Sequence, residues 1–126
     1  MNIVDFHHIA IICSNYSISK DFYTNILGFE VKNEVYREER KSYKLDLIRG
    51  SMNIELFSFT NVAKRPSYPE AAGLRHLAFK TKDILKDHKY LISRGVKVED
   101  LRIDEFTGKK FFFFFDPDNL PLEIYE

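Results

Sequence analysis

Apolar positions crowd the segment from Val4 to Cys13, and its β-branched residues predict a strand. The period then changes. Ile18, Phe22, Tyr23 and Ile26 fall on one face of a helix that Asn15 or Ser17 can cap, which runs to about Leu27 and is stopped by Gly28. Strand patterns return at Phe29–Arg37, Ser42–Arg49 and Met52–Phe59, with Gly50-Ser51 as a hairpin turn. The same order follows again. A strand is predicted over Leu74–Thr81 and a helix over about Asp83–Ser93, ended by Gly95. Strands at Val96–Ile103, Lys109–Phe115 and Leu120–Tyr125 complete the chain, with Asp116-Pro117-Asp118-Asn119 as the last turn. Each half reads βαβββ, an α+β pattern. The expected organisation is one domain over residues 1–126, with module one at 1–59, a connector at 60–73 and module two at 74–126. The connector carries Pro66, Pro69 and Gly73 and is longer than typical connections, so it is a candidate substrate or interface loop.

The two halves also echo each other residue by residue. His8-Ile9-Ala10-Ile11 matches His76-Leu77-Ala78-Phe79 at an offset of 68, and Asn53-Ile54-Glu55-Leu56-Phe57 matches Pro121-Leu122-Glu123-Ile124-Tyr125 at the same offset. The His-to-Glu spacing is therefore 47 in each half. Taken singly, each of the four reads as a hydrogen-bonded core or surface residue; the common offset makes them a set. His7 and His88 have no repeat partner and keep that plainer reading.

Side chains alternate across a strand, so parity assigns faces. His8 shares a face with Phe6, Ala10 and Ile12, and Glu55 with Asn53, Phe57 and Phe59. His76 goes with Ala78, and Glu123 with Tyr125. The opposite sets, Ile9, Ile11, Ile54, Leu56 and Leu77, Phe79, Leu122, Ile124, are all apolar and suit the faces that the helices cover. His8, Glu55, His76 and Glu123 are thereby left on the faces away from the helices. If the two modules place those faces together, two imidazoles and two carboxylates converge, and a divalent metal ion would offset the charge. Imidazole and carboxylate suit nickel, zinc, cobalt, manganese or iron.

Phe111 to Phe115 send side chains to both sides of a strand, which predicts a central strand covered on each face, with one or two rings free to line a pocket. Composition narrows the partners. The chain is 44% hydrophobic and 30% charged, with 19 basic and 19 acidic residues, so no electrostatic footprint for nucleic acid or an anionic membrane is expected. No apolar run approaches the roughly 20 residues of a membrane span, and the start lacks the pattern of a signal peptide. The single Cys13 excludes an intramolecular disulfide and reads as a buried small hydrophobe, which makes the cytoplasm the expected location.

Several of these segments carry a family likeness. His7-His8-Ile9-Ala10-Ile11, Asp21-Phe22-Tyr23-Thr24-Asn25-Ile26-Leu27-Gly28-Phe29, Ile54-Glu55-Leu56, Gly73-Leu74-Arg75-His76-Leu77-Ala78-Phe79 and Asp116-Pro117-Asp118-Asn119-Leu120-Pro121-Leu122-Glu123 together resemble the vicinal oxygen chelate superfamily, and within it the glyoxalase I-like (lactoylglutathione lyase-like) proteins. The resemblance implies tandem βαβββ modules forming a curved, barrel-like mixed sheet with helices on the outside, often as a homodimer. It implies one divalent metal ion held by His8, Glu55, His76 and Glu123, chelated by two neighbouring oxygens of a small-molecule substrate. Glu55 or Glu123 would then be the catalytic base, taking a proton from a hemithioacetal and returning it to the next carbon. The glutathione-using members carry Arg four residues after the first His and Asn four after the first Glu. Here those positions are Ile12 and Phe59, which cannot grip a carboxylate. Arg37, Arg40, Arg65, Arg75, Lys109 and Lys110 are left as candidates for some other anionic thiol or acid. Two other readings stay open: a thioester epimerase, marked by loss of stereochemistry without net conversion, and a non-catalytic small-molecule or drug-binding protein, marked by the absence of stoichiometric metal.

Overall fold

Eight strands and two helices form along the chain, in the order that the hydrophobic periods predict, and the computed structural model describes all residues from 1 to 126. Two units divide the chain, Met1–Ala63 and Lys64–Glu126. The first contains β1 (Ile9–Cys13), α1 (Tyr16–Asp21), β2 (Glu30–Arg37), β3 (Ser42–Arg49) and β4 (Met52–Ser58). The second contains β5 (Leu77–Lys80), α2 (Ile84–Ser93), β6 (Arg102–Ile103), β7 (Lys110–Phe115) and β8 (Pro121–Tyr125). Each is therefore a βαβββ module, and each makes one open, four-stranded mixed sheet. The strand orders are β1-β4-β3-β2 and β5-β8-β7-β6, the same arrangement twice.

In the first unit β1 lies parallel to β4, and β4, β3 and β2 run antiparallel in turn. Leu45 faces Leu56 and Leu47 faces Ile54 across the β3–β4 ladder, and all four are buried. They form the core with Ile11, Cys13, Phe22, Tyr23 and Phe29, and α1 packs against β4. In the second unit Phe112 faces Ile124 and Phe114 faces Leu122. The two phenylalanines and Leu122 are fully enclosed, and α2 adds Ile84 and Leu91. The run of five phenylalanines is thus a central strand, as its composition predicts, with Phe111, Phe113 and Phe115 half-buried on the other face.

Local chemistry explains the boundaries. Asn15 Oδ1 accepts from the Ile18 amide at 3.2 Å and starts α1, and Asp83 Oδ1 accepts from Lys86 N at 3.1 Å and starts α2. Beyond Asp21 the first helix widens into a π turn over Phe22–Ile26. Ser19, Phe22, Tyr23 and Leu27, at helical spacing, form the enclosed face, and Ile18 is left exposed beside it. Gly28 and Gly95 have φ of 71° and 73°, the left-handed geometry that ends each helical segment. Gly50-Ser51 closes the β3–β4 hairpin between the paired residues Arg49 and Met52. Asp116 Oδ1 accepts from Asp118 N at 2.9 Å and Leu120 N at 2.8 Å, which fixes the last turn.

Three predicted strands are shorter than their apolar patterns. Residues 4–8 lie outside β1, whose pairing with β4 begins at Ile9, opposite Ile54. Leu74 and Arg75 lie outside β5 because their carbonyls accept from the Arg65 guanidinium, at 2.9 and 3.2 Å. The segment 96–103 touches β7 twice, through Val98 opposite Phe114 and then through β6, with a gap between. No helix is long and apolar enough to cross a membrane.

Candidate functional site

Parallel pairing of the first and last strand of each unit sets the position of its histidine. In the first unit Ala10 stands opposite Glu55 in the β1–β4 register. His8, immediately before β1, shares the side of Ala10 by alternation, and its Nε2 stands 3.5 Å from Glu55 Oε2. In the second unit Ala78 stands opposite Glu123, and His76, immediately before β5, places Nε2 3.0 Å from Glu123 Oε2. The structure thus brings His8 to Glu55 and His76 to Glu123, and it groups no three His, Cys, Asp or Glu side chains as a metal cluster.

The neighbouring strand frames the two carboxylates differently. Opposite Glu55 on β3 is Asp46, and two residues earlier is Lys44. Lys44 Nζ donates to Glu55 Oε1 at 3.0 Å and to Asp46 Oδ1, so one ammonium ties both carboxylates together. The bond to Asp46, reinforced by that to Glu55 and opposed by burial, raises the Lys44 pKa above the usual lysine value. Arg37 lies over the rings of Phe57 and Phe59, 5.0 and 5.6 Å from their centroids, and completes this polar face. Opposite Glu123 on β7 is Phe113, whose ring meets that of His76 edge-on at 5.1 Å. Phe111 and Tyr125 stack beside it, and the Tyr125 hydroxyl donates to Asp104 at 2.9 Å. Glu123 is buried, with His76 as its ion-pair partner.

The remaining histidines have other duties. His7 Nδ1 hydrogen-bonds His8 Nδ1 at 2.8 Å, which orients the His8 ring. His88 bonds the Glu99 carbonyl at 3.0 Å and packs edge-on against Phe112. Lys44 and Asp46 are site residues that the sequence reading passes over. Their signal was available, since two charges alternate with Leu45 and Leu47 inside one strand and so lie on the face away from the core.

Similar proteins repeat this architecture. The model of the Glyoxalase/Bleomycin resistance protein/Dioxygenase superfamily matches residues 5–124. The chain is 59% identical over 121 residues to the uncharacterized protein YwkD of Bacillus subtilis (strain 168), an alignment covering 95% of this chain and 94% of YwkD. It is 56% identical over 121 residues to the uncharacterized protein YaeR of Escherichia coli (strain K12), with the same coverages of 95% and 94%. A crystal structure of a glyoxalase family protein from Enterococcus faecalis matches with a TM-score of 0.93 and 52% identity, covering 97% of each chain.

Proposed function

This chain belongs to the glyoxalase/bleomycin resistance protein/dioxygenase superfamily, and from that premise we propose that it is a metal-dependent enzyme of the glyoxalase I type, moving a proton between neighbouring carbons of a small hydroxy-carbonyl compound such as a hemithioacetal. The observation that carries this reading is one His–Glu pair occurring twice, at the equivalent place in two sheets of the same strand order.

The donor chemistry fits a cation. Imidazole nitrogen and carboxylate oxygen are the donors that nickel, zinc, cobalt, manganese and iron share, and a buried glutamate beside a single imidazole is a charge that a cation would offset. The proposed ligands are His8, Glu55, His76 and Glu123. A divalent ion held by them supplies Lewis-acid polarisation of two adjacent substrate oxygens. His8 and His76 serve as neutral anchors, and His7 fixes the ring of the former. Glu55 and Glu123 are the proton carriers: a carboxylate takes the proton from the carbon beside the carbonyl and delivers it to the next carbon. Lys44 donates to Glu55 Oε1, the oxygen turned away from His8, and competes with a cation for it. Phe113 stands opposite Glu123 across β7–β8, and Phe57 follows Glu55 on the same face of β4. The proposal extends to a homodimer in the cytoplasm, in keeping with the family likeness and with a single, buried cysteine.

Nickel- or zinc-loaded protein, incubated in deuterium oxide with methylglyoxal hemithioacetals of several thiols, is expected to yield a 2-hydroxy thioester labelled at the carbon next to its carbonyl. Loaded protein that gives neither label nor product with any of these thiols would reject the reaction.

A further inference from the structure

The second unit contains a cavity of about 450 Å³ whose walls carry an excess of positive charge: Arg65, Arg75, Lys97 and Arg102 face it, against the carboxylate of Glu99 in the wall and that of Glu70, which pairs with Arg75 at 3.4 Å. These cations come from three separate stretches of chain, and the fold gathers them. Arg65 is held in place by its hydrogen bonds to the carbonyls of Leu74 and Arg75, and its Nε is shielded from solvent with no partner. Arg102 spends one bond on Glu99 at 2.7 Å and lies 5.1 Å from the ring centroids of both Phe111 and Phe113. Lys97 sits 4.5 Å from the centroid of Phe115 and makes no ion pair, and Arg65 makes none either. Like charges gathered around a cavity repel one another, and an anion bound among them relieves that repulsion. The floor is apolar. Phe113 and Phe115 turn into the cavity because Phe112 and Phe114, alternating with them along β7, are buried in the core.

We propose that this cavity binds an organic oxyanion, a carboxylate or phosphate head on a short apolar stem, with the head among the four cations and the stem on Phe113 and Phe115. Phe113 lines the cavity, stands opposite Glu123 and touches the His76 ring. A bound anion therefore lies one side chain away from the His76–Glu123 pair. This last step rests on the proposed function: the cavity then holds the anionic tail of the substrate whose oxygens meet that pair. It also supplies what Ile12 and Phe59 cannot, an anchor for a charged group, at a different place in the fold.

The test is a calorimetric titration of the whole, metal-loaded protein with butanoate, monobutyl phosphate and the neutral isostere butanamide. The two acids separate the possible sources of the head group, and the amide reports the stem alone. Both acids, or one of them, are expected to bind at least about ten-fold more tightly than the amide. Lys97 and Arg75 form no backbone hydrogen bonds through their side chains, so a K97M/R75Q double variant is expected to fold and to lose about ten-fold in acid affinity while keeping its metal. K109M, a cation outside the cavity, is expected to bind the acids as the parent does. Equal affinity for the amide, or full acid affinity in the double variant, would overturn the assignment. Selective acid binding without deuterium exchange would support the cavity and count against the reaction; exchange without selective binding would do the reverse.

Discussion

The two units share a topology, a strand order and a His–Glu pair, yet the strand beside each glutamate is written in a different chemistry. On β3 the residues flanking Glu55 are Lys44 and Asp46; on β7 their counterparts beside Glu123 are Phe111 and Phe113. Backbone register places the donors in both, because parallel pairing of first and last strands puts Ala10 opposite Glu55 and Ala78 opposite Glu123. What surrounds the donors is set by side chains that the register leaves free to differ. The first unit carries its own counter-cation, whereas the second buries its carboxylate among rings and opens onto a cationic cavity. The scaffold is symmetric and the chemistry is not.

If that division is right, equivalent core positions should respond alike and equivalent site positions should not. Ile54 and Leu122 occupy the same place in the repeat and are both buried. Truncation of either to alanine is expected to cost about 2–5 kcal/mol in urea unfolding, with closely similar values for the two. A large disparity would mean that the units are not equivalent scaffolds. At the site, E123Q is expected to weaken metal binding by about 100-fold in a chelator competition, because nothing polar opposite it on β7 can replace the lost oxygen. E55Q is expected to weaken it by only about ten-fold, since Asp46 stands directly opposite and offers a substitute carboxylate. Equal losses would erase the asymmetry.

Much of this could be read before any coordinates. The repeat offset identified His8, Glu55, His76 and Glu123, and parity put each pair on the face away from Ile54, Leu56 and Leu122. Glycines and the Asp116 turn fixed the element order because left-handed backbone and Asx hydrogen bonds are local. The parts that stayed hidden depend on partners remote in sequence. Strand propensity at residues 4–8 means little without a neighbouring strand to pair with, and the start of β5 is decided by Arg65, nine residues before Leu74. Lys97 and Arg102 join Arg65 only through the way the chain returns to β7, which no local pattern encodes. On the first helix the enclosed face starts from the small, polar Ser19 and not from Ile18, which a reading by apolar residues passes over.

A smaller effect separates the two frames from within. Replacing Lys44 by methionine removes an ammonium that competes for Glu55 Oε1 and leaves Glu55 and Asp46 side by side. In the metal-free protein the unrelieved repulsion is expected to cost about 1 kcal/mol, seen as a lowered Tm. The same two carboxylates should draw a cation more strongly, so nickel affinity is expected to rise several-fold and to restore the lost Tm. A variant that loses nickel affinity would show that Lys44 organises the site instead of competing for it. No such variant exists in the second unit, because phenylalanine already occupies the equivalent place.

The smallest expected difference lies in how each unit answers acid. In the first, Lys20 Nζ, at 2.5 Å, and the Tyr16 hydroxyl both donate to Glu34, tying α1 and its helical segment to β2. The Lys20 bond first, and then the Tyr16 bond, holds the Glu34 carboxyl below the usual glutamate value against the opposing pull of burial. The folded state therefore binds this proton less tightly than the unfolded chain does. The resulting stability is present in full above the unfolded pKa and is lost as pH falls through the folded one. Because Glu34 is partly open to water, its contribution should stay below about 1 kcal/mol. E34Q is thus expected to be less stable than the parent at neutral pH, by that small margin, and the margin should close as pH falls below the ordinary glutamate range. In the second unit Asp104 is held low chiefly by the Phe106 amide and then by the Tyr125 hydroxyl, a bond that bridges the loop before β7 to β8 and does not touch α2. Acid should therefore loosen the helix of the first unit and leave α2 of the second in place, a distinction that amide hydrogen exchange over Tyr16–Asp21 and Ile84–Ser93 would read directly. Loss of protection in both helices at the same pH would show that the clamp on Glu34 does not set the order.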